Sequence, residues 1–521
     1  MTTKEECKYI DRPFNIRPLC FWGGIVAFVA YLATVSFTAC ACFVFAVFVL
    51  LVCLQFVKTK DAVVTFLGTS RIFFVGAVIL CIAVMLSFGI TNLVWSSSKS
   101  YAGIHSLDGV VESFNFRPTD QGASYMSLSN AKFDGKPVSG RVIVFVSGYD
   151  NGEVQIEVGR RVEVSSRLSM AVANAMNVNN KTRYTANTKY DDIAVLAKSR
   201  DFRHVVLRHT RTFFGKYLSP TNATLMYSMV FGDKSALEDE VRNDFAINGM
   251  AHALAVSGLH VGVLIAMLSG LLRLCRVRRR SRVFAIVPML LFYCYLCGFA
   301  FPVIRASIMF SILLCNTAFL RVTDLLSSIC MAGILTLLIF PYAILSISFQ
   351  LSYTCMLGIA ILYRPIENLL KRTIIQKAPR SVMAVQTWVI KAVTMCLCAD
   401  ISLFPLIVKY FKAVPVFSLF GNLIILPLLI LAFQVAVISL VTWVGFFLLY
   451  PIEYLLVAVR WMMSLTSRVP FARMHLSNGG AWFLSYFLAI ILMSRFVFLP
   501  RKYKYPTVAV LLCVYTVGFF V

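Results

Sequence analysis

Charged residues are scarce in this chain of 521 residues: they make up 14% of it, whereas 59% of the residues are hydrophobic. Soluble globular proteins have about 25% charged and about 45–50% apolar residues. The composition therefore excludes a protein that is soluble over its whole length. Apolar runs of about eighteen residues or more are long enough to cross the hydrocarbon core as helices, whereas a membrane β-barrel has short alternating segments.

Motifs for several kinds of chemistry are also missing. The sequence has no Gly-x-x-x-x-Gly-Lys-Ser/Thr loop, which excludes a built-in P-loop ATPase. The histidines form no His-x-His-x-Asp-His run, so we expect no metallo-β-lactamase-type nuclease site, no metal and no cofactor in this chain. Of its fifteen cysteines, none lies between Cys81 and Cys275, and no disulfide framework is indicated.

The positive charge is concentrated in the hydrophobic part of the chain. Residues 96–246 contain 19 basic and 16 acidic residues, a net charge of +3 out of +25 for the whole chain. Basic loops between spans are typical of the cytoplasmic side. We therefore expect the loops Arg276–Arg282 and Lys371–Arg380 to be cytoplasmic and the segment 96–246 to lie outside the membrane. The sequence predicts about thirteen spans in the cytoplasmic membrane, at 19–36, 39–57, 72–95, 248–274, 283–301, 303–320, 325–345, 347–364, 387–409, 416–431, 433–449, 481–498 and 506–521.

The segment 96–200 has the pattern of a small β domain. Alternating or β-branched stretches lie between turn signals such as Asp134-Gly135 and Asn151-Gly152. An OB-like barrel fits the strand count, as do other small barrels or sandwiches. The expected strands are Leu107–Phe114, Tyr125–Phe133, Arg141–Val146, Val154–Val158 and Arg161–Ser165, followed by a helical and then a loop-like stretch over 169–200.

Two further segments have amphipathic patterns. In Asp201–Leu218, Phe202, Val205, Val206, Phe213 and Tyr217 cluster on one side, opposite His204, Arg208, Arg211 and Thr212. This helix either lies in the membrane interface or covers the β domain. In Glu453–Arg468 the polar residues form one stripe, which indicates an interfacial helix. The predicted organisation is a membrane region at 1–95, the β domain at 96–200, an interfacial helix and linker at 201–246 and a transmembrane channel domain at 247–521.

Polar residues inside the apolar spans are the candidates for function, because lipid penalises them and they usually face a bundle interior or a cavity. Ser257 and His260 are three residues apart and close enough to touch, which permits a nucleophile pair but also simple hydrogen bonding between helices. Gly258 and Asn422 mark two spans that the pattern predicts to be broken. We expect a water-accessible path lined by His252, Ser257, Gly258, His260, Arg305, Gln350, Asp400 and Asn422.

For two of these residues a purely structural role is equally consistent with the sequence. Arg305 lies near the end of its span, where it either lines a pore or extends to the membrane surface. Asp400 lies in mid-span, and Arg305 or a histidine of another helix is the expected partner of its carboxylate. A salt bridge of this kind also holds static bundles together.

The stretch 249–261, Gly-Met-Ala-His-Ala-Leu-Ala-Val-Ser-Gly-Leu-His-Val, resembles the signature of the ComEC family of competence proteins at every position. The elements Gly232-Asp233-Lys234-Ser235, Val303-Ile304-Arg305-Ala306 and Ser348-Phe349-Gln350-Leu351-Ser352 are similar to other family motifs in order and spacing. Glu157–Val164 resembles the closing strand of the family's OB-like domain, with Arg160 in place of the usual aspartate.

The resemblance implies an extracytoplasmic OB-like domain that delivers DNA to a transmembrane channel, through which one strand enters the cytoplasm during natural transformation. Its partners would be single-stranded DNA, membrane lipid, a periplasmic DNA-delivery protein, a separate nuclease and a cytoplasmic helicase or motor. Tyr125 or Phe133 would stack bases. The candidate phosphate-binding residues are Lys132, Arg160, Arg161 and Arg167.

Two other classes fit the same residues. A small-solute secondary transporter with an outer regulatory domain would contain broken helices, but the sequence has no second Ser-Gly-Leu-His-like segment of the kind that paired repeats produce. A membrane-embedded hydrolase would use Ser257 and His260, but no acid lies nearby in sequence to orient the histidine. A transport protein without catalytic residues is the prediction.

Overall fold

The computed structural model describes residues 18–35, 62–96, 105–115, 124–138, 140–148, 156, 158–171, 177, 182–319, 325–374, 380–442, 445–475, 483–493, 506–512 and 515. Helices dominate, and an eight-stranded sheet lies between the second and third of them. The helices are α1 (Pro18–Val35), α2 (Ala62–Ser96), α3 (Phe202–Tyr217), α4 (Pro220–Phe231), α5 (Asp239–Ile247), α6 (Gly258–Leu274), α7 (Arg279–Leu296), α8 (Phe301–Phe319), α9 (Leu325–Ile339), α10 (Ile347–Ile374), α11 (Arg380–Phe411), α12 (Ser418–Thr442), α13 (Leu449–Ser467) and α14 (Phe483–Met493).

Several of these helices have the length and hydropathy of membrane spans. Within the described ranges, four are long and apolar enough to cross a membrane: Val78–Trp95, Val382–Phe411, Ser418–Thr442 and Phe446–Ser467. Shorter apolar helices lie at Gly23–Thr34, Gly258–Leu274, Phe301–Asn316 and Leu325–Ile339. The protein is therefore a helical membrane protein, as predicted. The number of about thirteen spans stays a prediction, and the span expected at 39–57 lies outside the described residues.

Three span assignments differ from the sequence prediction. The run at 248–274 is not one helix, because α6 begins at Gly258 and turns precede it. The spans expected at 416–431 and 433–449 are replaced by α12, which runs continuously from Ser418 to Thr442. The break predicted near Asn422 is present as a π-helical turn, Gly421–Ile425, within this helix.

The polar stripe of α13 faces the protein and not an aqueous interface. Asn222 Nδ2 of α4 donates to Glu453 Oε1 at 2.8 Å, and Arg460 Nη1 donates to Asn222 Oδ1 at 3.1 Å. Ser467 Oγ donates to Asp244 Oδ1 of α5 at 2.6 Å. These bonds satisfy the stripe internally and remove the reason for placing Glu453–Arg468 in the interface.

The sheet is built on alternation of buried and exposed residues. Along the second strand the even-numbered positions Ser124, Met126 and Leu128 are buried, and Tyr125 between them is exposed. The strand order is β6-β7-β4-β2-β1-β5-β8, with β3 on β2, and β4 and β7 pair in parallel. The strands are β1 (His105–Asn115), β2 (Ser124–Phe133), β3 (Lys136–Pro137), β4 (Arg141–Ser147), β5 (Arg160–Ser166), β6 (Ser169–Met170), β7 (Thr182–Lys189) and β8 (Ile193–Lys198).

Four of the five predicted strands are present as β1, β2, β4 and β5, whereas most of Val154–Val158 lies outside the described residues. The helical and loop-like prediction for 169–200 is wrong where the structure has β6, β7 and β8, although Asn177 is helical and Tyr190–Asp192 is a 3-10 turn. Strand β7 alternates regularly, but two of its buried residues, Thr182 and Thr188, are polar. The hydrophobic pattern that identified the other strands is therefore weak here.

Helix α3 is present as predicted, but its buried side is not the predicted one. His204, Leu207, Thr210 and Phe214 are buried, whereas Phe202 is 59% exposed. His204 packs against Gly159 of the β domain, and Phe214 belongs to a core shared with α4, α5, α12 and α13. The helix therefore joins the β domain to the membrane helices.

An ion-pair cluster fixes the same connection. Glu112 of β1 accepts bonds from Arg141 of β4 and from Arg203 of α3, at 2.7 and 3.3 Å. The same arginines donate to Gly298 O and Leu296 O, at 3.1 and 3.0 Å. These carbonyls lie at the C-terminal end of α7, where cationic groups are favourable.

Candidate functional site

The Ser-Gly-Leu-His motif lies where the chain turns between α5 and α6. Gly249 has a φ of +74° and directly follows the end of α5, and Met250 N donates to Phe245 O at 2.7 Å. This is the usual position of a glycine that ends a helix. A Cβ on Gly249 would lie 2.7 Å from Pro415 Cγ, so the close packing of this turn also requires glycine.

Ser257 and His260 start helix α6. The expected contact is present, because Ser257 N donates to His260 Nδ1 at 3.1 Å and Ser257 Oγ lies 3.2 Å from the same nitrogen. Together with the Ser257 side chain, which accepts from the His260 backbone, this forms a capping box. Since Nδ1 accepts a backbone N–H, the neutral ring carries its hydrogen on Nε2. This nitrogen is buried beside the Phe433 ring, without a partner among the described residues.

His252 and Gly258 differ from their expected roles in a straight helix. His252 lies in the turn, is exposed, and its Nδ1 is 3.1 Å from Gly249 O. His252 and His260 therefore do not belong to one continuous helix, and helical spacing does not determine their relative directions. A Cβ on Gly258 would meet only Ala306 Cβ, at an ordinary 3.7 Å, so close approach does not require glycine there.

The two predicted helix breaks contact each other. Gly421, the first residue of the π-helical turn, packs against Met250, whose Cγ would lie 2.9 Å from a Cβ at Gly421. Asn422 is partly buried beside it, and Asn248 Nδ2 donates to Met463 O of α13 at 3.0 Å. Single π turns often mark functional positions. We call residues 249–257 together with Ser418 and 421–425 the helix-break junction.

Asp400 of α11 lies beside the same junction. Its Oδ2 accepts from Ser418 Oγ at 3.2 Å, and Ser418 Cβ is 3.2 Å from the position of a Cβ on Gly249. The pairing expected with Arg305 or a histidine is absent, since no ion pair involves Asp400 among the residues that the structure describes. A single serine hydroxyl is the carboxylate's observed partner.

Arg305 and Gln350 bond neighbouring helices, and Ala306, next to Arg305, lies against Gly258 at the start of α6. Arg305 is only 4% exposed, donates to Ser348 O and to Ser348 Oγ, and lies near two aromatic rings, so it does not extend to the membrane surface. Gln350 donates to Ile344 O at 2.9 Å and accepts from Tyr410 OH at 2.6 Å. The group joins α8, α10 and α11.

A motif earlier in the chain also reaches the junction. A Cβ on Gly232, at φ +82°, would lie 3.4 Å from Val256 Cγ2, and Lys234 Nζ donates to Ala251 O at 3.4 Å. Burial lowers the pKa of Lys234, and the neighbouring Arg242 lowers it further. The Gly-Asp-Lys-Ser and Ser-Gly-Leu-His motifs are therefore parts of one packed structure.

The candidate residues of the β domain have different surroundings. Arg161 pairs with Asp108 at 2.9 Å, whereas Lys132 and Arg167 are exposed. Phe133 is buried in the β core and unsuited to stacking, but Tyr125 is 38% exposed. The residue that the sequence reasoning missed is Phe145, which is 41% exposed and directly opposite Tyr125 on β4. The sequence signal for Phe145 is its position in the alternating strand β4, on the side opposite the buried valines.

Fold and junction define a helical membrane protein with a β-sheet domain and clustered polar residues at two helix breaks. The family model described as "Competence protein" matches residues 229–501, which is more than half of the chain. The chain therefore belongs to this family, and the ComEC resemblance of its motifs is confirmed.

Two relatives show the same similarity over shorter ranges. ComE operon protein 3 of Bacillus subtilis (strain 168) is 25% identical over 244 residues, covering 46% of this chain and 29% of that protein. An uncharacterized protein of Aquifex aeolicus (strain VF5) is 35% identical over 143 residues, covering 27% of this chain and 33% of its own length. The chain thus covers about a third of each relative. No solved structure matches it.

Proposed function

We propose that this protein is the channel that passes single-stranded DNA across the cytoplasmic membrane during natural transformation. The observation that carries the proposal is the family match over 229–501, which includes the whole helix-break junction. Irregular backbone at membrane depth is tolerated where it is covered by protein or lines a water-filled cavity. In this proposal Ser257, His260 and Asp400 contribute to one path, and Arg305 with Gln350 supports it from the adjacent helices.

The β-strand order supports an OB-like outer domain. Strands β5, β1, β2, β4 and β7 are neighbours in this order, with β4 and β7 parallel, and Ser166 Oγ of β5 donates to Asn187 O of β7 at 2.8 Å. This side-chain bond brings the two ends of the five-stranded order together. An OB fold is a partly open five-stranded Greek-key barrel that uses the face of its second and third strands for oligonucleotides.

Those strands correspond to β2 and β4, which carry the exposed pair Tyr125 and Phe145. Aromatic side chains on such a face stack bases without sequence preference, at about 1–3 kcal/mol per base. Lys132, at the other end of β2, and Arg167, just after β5, are cations available to phosphate. We place this domain outside the membrane, where a DNA-delivery protein would present the strand, with a separate nuclease and a cytoplasmic motor as further partners.

The direct test is deletion of the gene in its own organism, followed by transformation with labelled DNA. The channel proposal predicts loss of transformants while DNA still accumulates outside the cytoplasmic membrane. Normal transformation with altered uptake of a small solute would instead favour the transporter. Entry of both strands into the cytoplasm of the deletion strain would also contradict the channel.

The stacking pair gives a second test on the purified full-length protein. Single-strand binding should weaken about tenfold or more in the double variant Tyr125→Ala/Phe145→Ala, because two stacking contacts are lost. Leu196→Ala, which removes an exposed side chain from β8, is the matched control. Affinity should also fall with salt as phosphate contacts release counterions. Equal binding by both variants would remove the β2–β4 face from the proposal.

The absence of catalysis is part of the proposal and has its own test. Ser257 Oγ is within reach of His260 Nδ1, but this nitrogen already accepts the Ser257 backbone N–H, and no carboxylate bonds His260 Nε2 among the described residues. A serine-reactive phosphonate should therefore leave Ser257 unmodified in the folded protein. Stoichiometric labelling that Ser257→Ala abolishes would favour the hydrolase.

A further inference from the structure

A cavity of about 260 Å³ lies between α3, α4 and the loop 233–237, and Gly232 and Lys234 on either side of Asp233 contact the helix-break junction. Its walls are apolar at Pro220, Ala223 and Leu237. The Thr224 hydroxyl in its wall donates within α4, and the three remaining polar groups are Arg211, Tyr227 and Asp233. Neither the amphipathic pattern of α3 nor the proposed channel accounts for this combination of charges.

The three polar groups have no mutual bond that would explain their presence. Tyr227 is 7% exposed, and its hydroxyl has no hydrogen-bond partner among the described residues, although it faces the cavity. Asp233 Oδ1 accepts from Ser235 N at 2.9 Å, which leaves Oδ2 available. Within the described part of the chain, no carboxylate pairs with Arg211. A hydroxyl that opens into a cavity in this way can bond a ligand or water there.

The charges restrict what the cavity can bind. A guanidinium favours a phosphate or carboxylate group, with which it forms charge-assisted bonds. Asp233 in the same wall repels a polyanion and accepts N–H donors from a cation. A DNA strand or a simple anion therefore fits poorly. A zwitterion with an anionic group near an ammonium satisfies Arg211, Asp233 and the Tyr227 hydroxyl together.

An aromatic cluster at the end of a candidate span lies near the cavity. Tyr217, six residues after Arg211 on α3, lies 5.3 Å from the Phe446 ring and 6.4 Å from the Tyr450 ring. Phe446 is the first residue of the candidate span Phe446–Ser467. Aromatic residues at the end of a span are typical of the membrane–water interface. Six helical residues correspond to about 9 Å along the axis, so Arg211 is close enough to this aromatic cluster for a lipid headgroup to reach it.

From this geometry we propose that the cavity between α3, α4 and the 233–237 loop binds a phosphoethanolamine group, with its phosphate at Arg211 and its ammonium at Asp233 and Tyr227. The source is either phosphatidylethanolamine of the surrounding membrane or the same headgroup in soluble form. The site is separate from the channel, and the inference does not depend on DNA uptake. It assigns the Asp233 of the Gly-Asp-Lys-Ser motif to ligand binding.

The test uses the full-length protein in nanodiscs that contain equal amounts of phosphatidylethanolamine, phosphatidylcholine and phosphatidylglycerol. Lipids retained after transfer to detergent are measured by native mass spectrometry. We expect phosphatidylethanolamine to be retained about tenfold over both competitors, since choline has no N–H to donate and glycerol no positive charge. Soluble glycerophosphoethanolamine is the second arm. Displacement of the lipid by this compound shows that the headgroup suffices, and failure to displace it identifies the lipid as the source.

The variants decide whether this cavity is responsible. Arg211→Gln and Asp233→Asn should each abolish the preference, and asparagine retains the acceptor for Ser235 N. Tyr227→Phe should reduce it severalfold. Arg208→Gln, on the same helix but not lining the cavity, should retain it. Equal retention of the three lipids, or a preference that survives both Arg211→Gln and Asp233→Asn, would overturn the proposal.

Discussion

The β domain and the helix-break junction place their polar residues by opposite rules. In the described part of the β domain no charged side chain is buried and the core is largely apolar, with Leu107, Met126 and Val144 fully buried. At the helix break before α6, a polar side chain is itself buried and bonds a backbone N–H that has no partner within the helix. His260 is 1% exposed and bonds the first turn of its own helix. A charged residue thus indicates a surface in the first region, and a buried polar residue indicates a discontinuity of the backbone in the second.

The largest effect should come from substituting Gly249, the junction residue at which only glycine fits. Gly249→Ala places a Cβ 2.7 Å from Pro415 Cγ at a φ of +74°. Backbone strain and overpacking together should lower the free energy of unfolding by about 3 kcal/mol. Gly258→Ala is the matched control, because its Cβ meets Ala306 at an ordinary distance.

The measurement is the midpoint of thermal unfolding in detergent together with transformation frequency. Gly249→Ala should reduce both, and Gly258→Ala should change neither appreciably. The opposite order would mean that α6 opens at Gly258 and that its close approach to another helix matters more than the turn before it.

The difference between the two regions explains which elements can be predicted from the sequence. Strands β1, β2, β4 and β5 were predictable within one or two residues, because period-two alternation records burial directly. Strand β7 was missed because Thr182, Ala186 and Thr188 are small or polar although they are buried. Alternation predicts a strand only where the buried side chains are hydrophobic.

In the membrane region hydropathy identified the helices but not their ends. The apolar run across 248–274 hides the turn before Gly258, for which the signal was Asn248-Gly249, a common helix ending. The Ser257–His260 contact was predictable from spacing, because both residues belong to one helix start. The partners of Asp400 and Glu453 were not, since Ser418 and Asn222 reach them only through packing of separate helices.

A second prediction tests whether a buried polar residue outside the junction also stabilises the fold through its hydrogen bonds. Asn222 is fully buried and bridges Glu453 and Arg460, so Asn222→Ala leaves two charged groups without this partner. Stability should fall by about 2 kcal/mol. Tyr454→Ala, next to Glu453 but 78% exposed, should leave the unfolding midpoint nearly unchanged. Equal midpoints for the two variants would show that the polar stripe of α13 is hydrated.

A third prediction concerns the contact between the two regions. Glu112→Gln removes the charge that holds Arg141 and Arg203 at the end of α7, and the partial exposure of Arg141 limits the expected loss to about 1 kcal/mol. Hydrogen exchange should quicken at residues 296–300 and in the first turn of α3. Glu163→Gln, on β5 and bonded to Ser106 within the β domain, is the control and should leave exchange at α7 unchanged. Unaltered exchange in Glu112→Gln would show that the α3 core alone joins the regions.

The smallest expected effect lies at His204, a buried polar residue on the border of both regions. Its side chain is 4% exposed, Nδ1 is 3.3 Å from Ser199 Oγ, and Gly159 packs on its Cβ. Burial lowers the pKa of His204 below the ordinary value of a histidine, and the neighbouring Arg203 lowers it further. Below about pH 6.5 the unfolded state therefore binds more protons at this residue than the folded state, and stability declines as the pH falls.

Between about pH 7.5 and about pH 5.5, the unfolding midpoint of His204→Leu should fall less than that of the parent, because one titrating group is gone. His209→Leu, an exposed position on the same helix, should follow the parent. If His204→Leu and the parent lose the same amount of stability over this range, the histidine is protonated without cost, and the border between the two regions is as hydrated as the outer surface of the β domain.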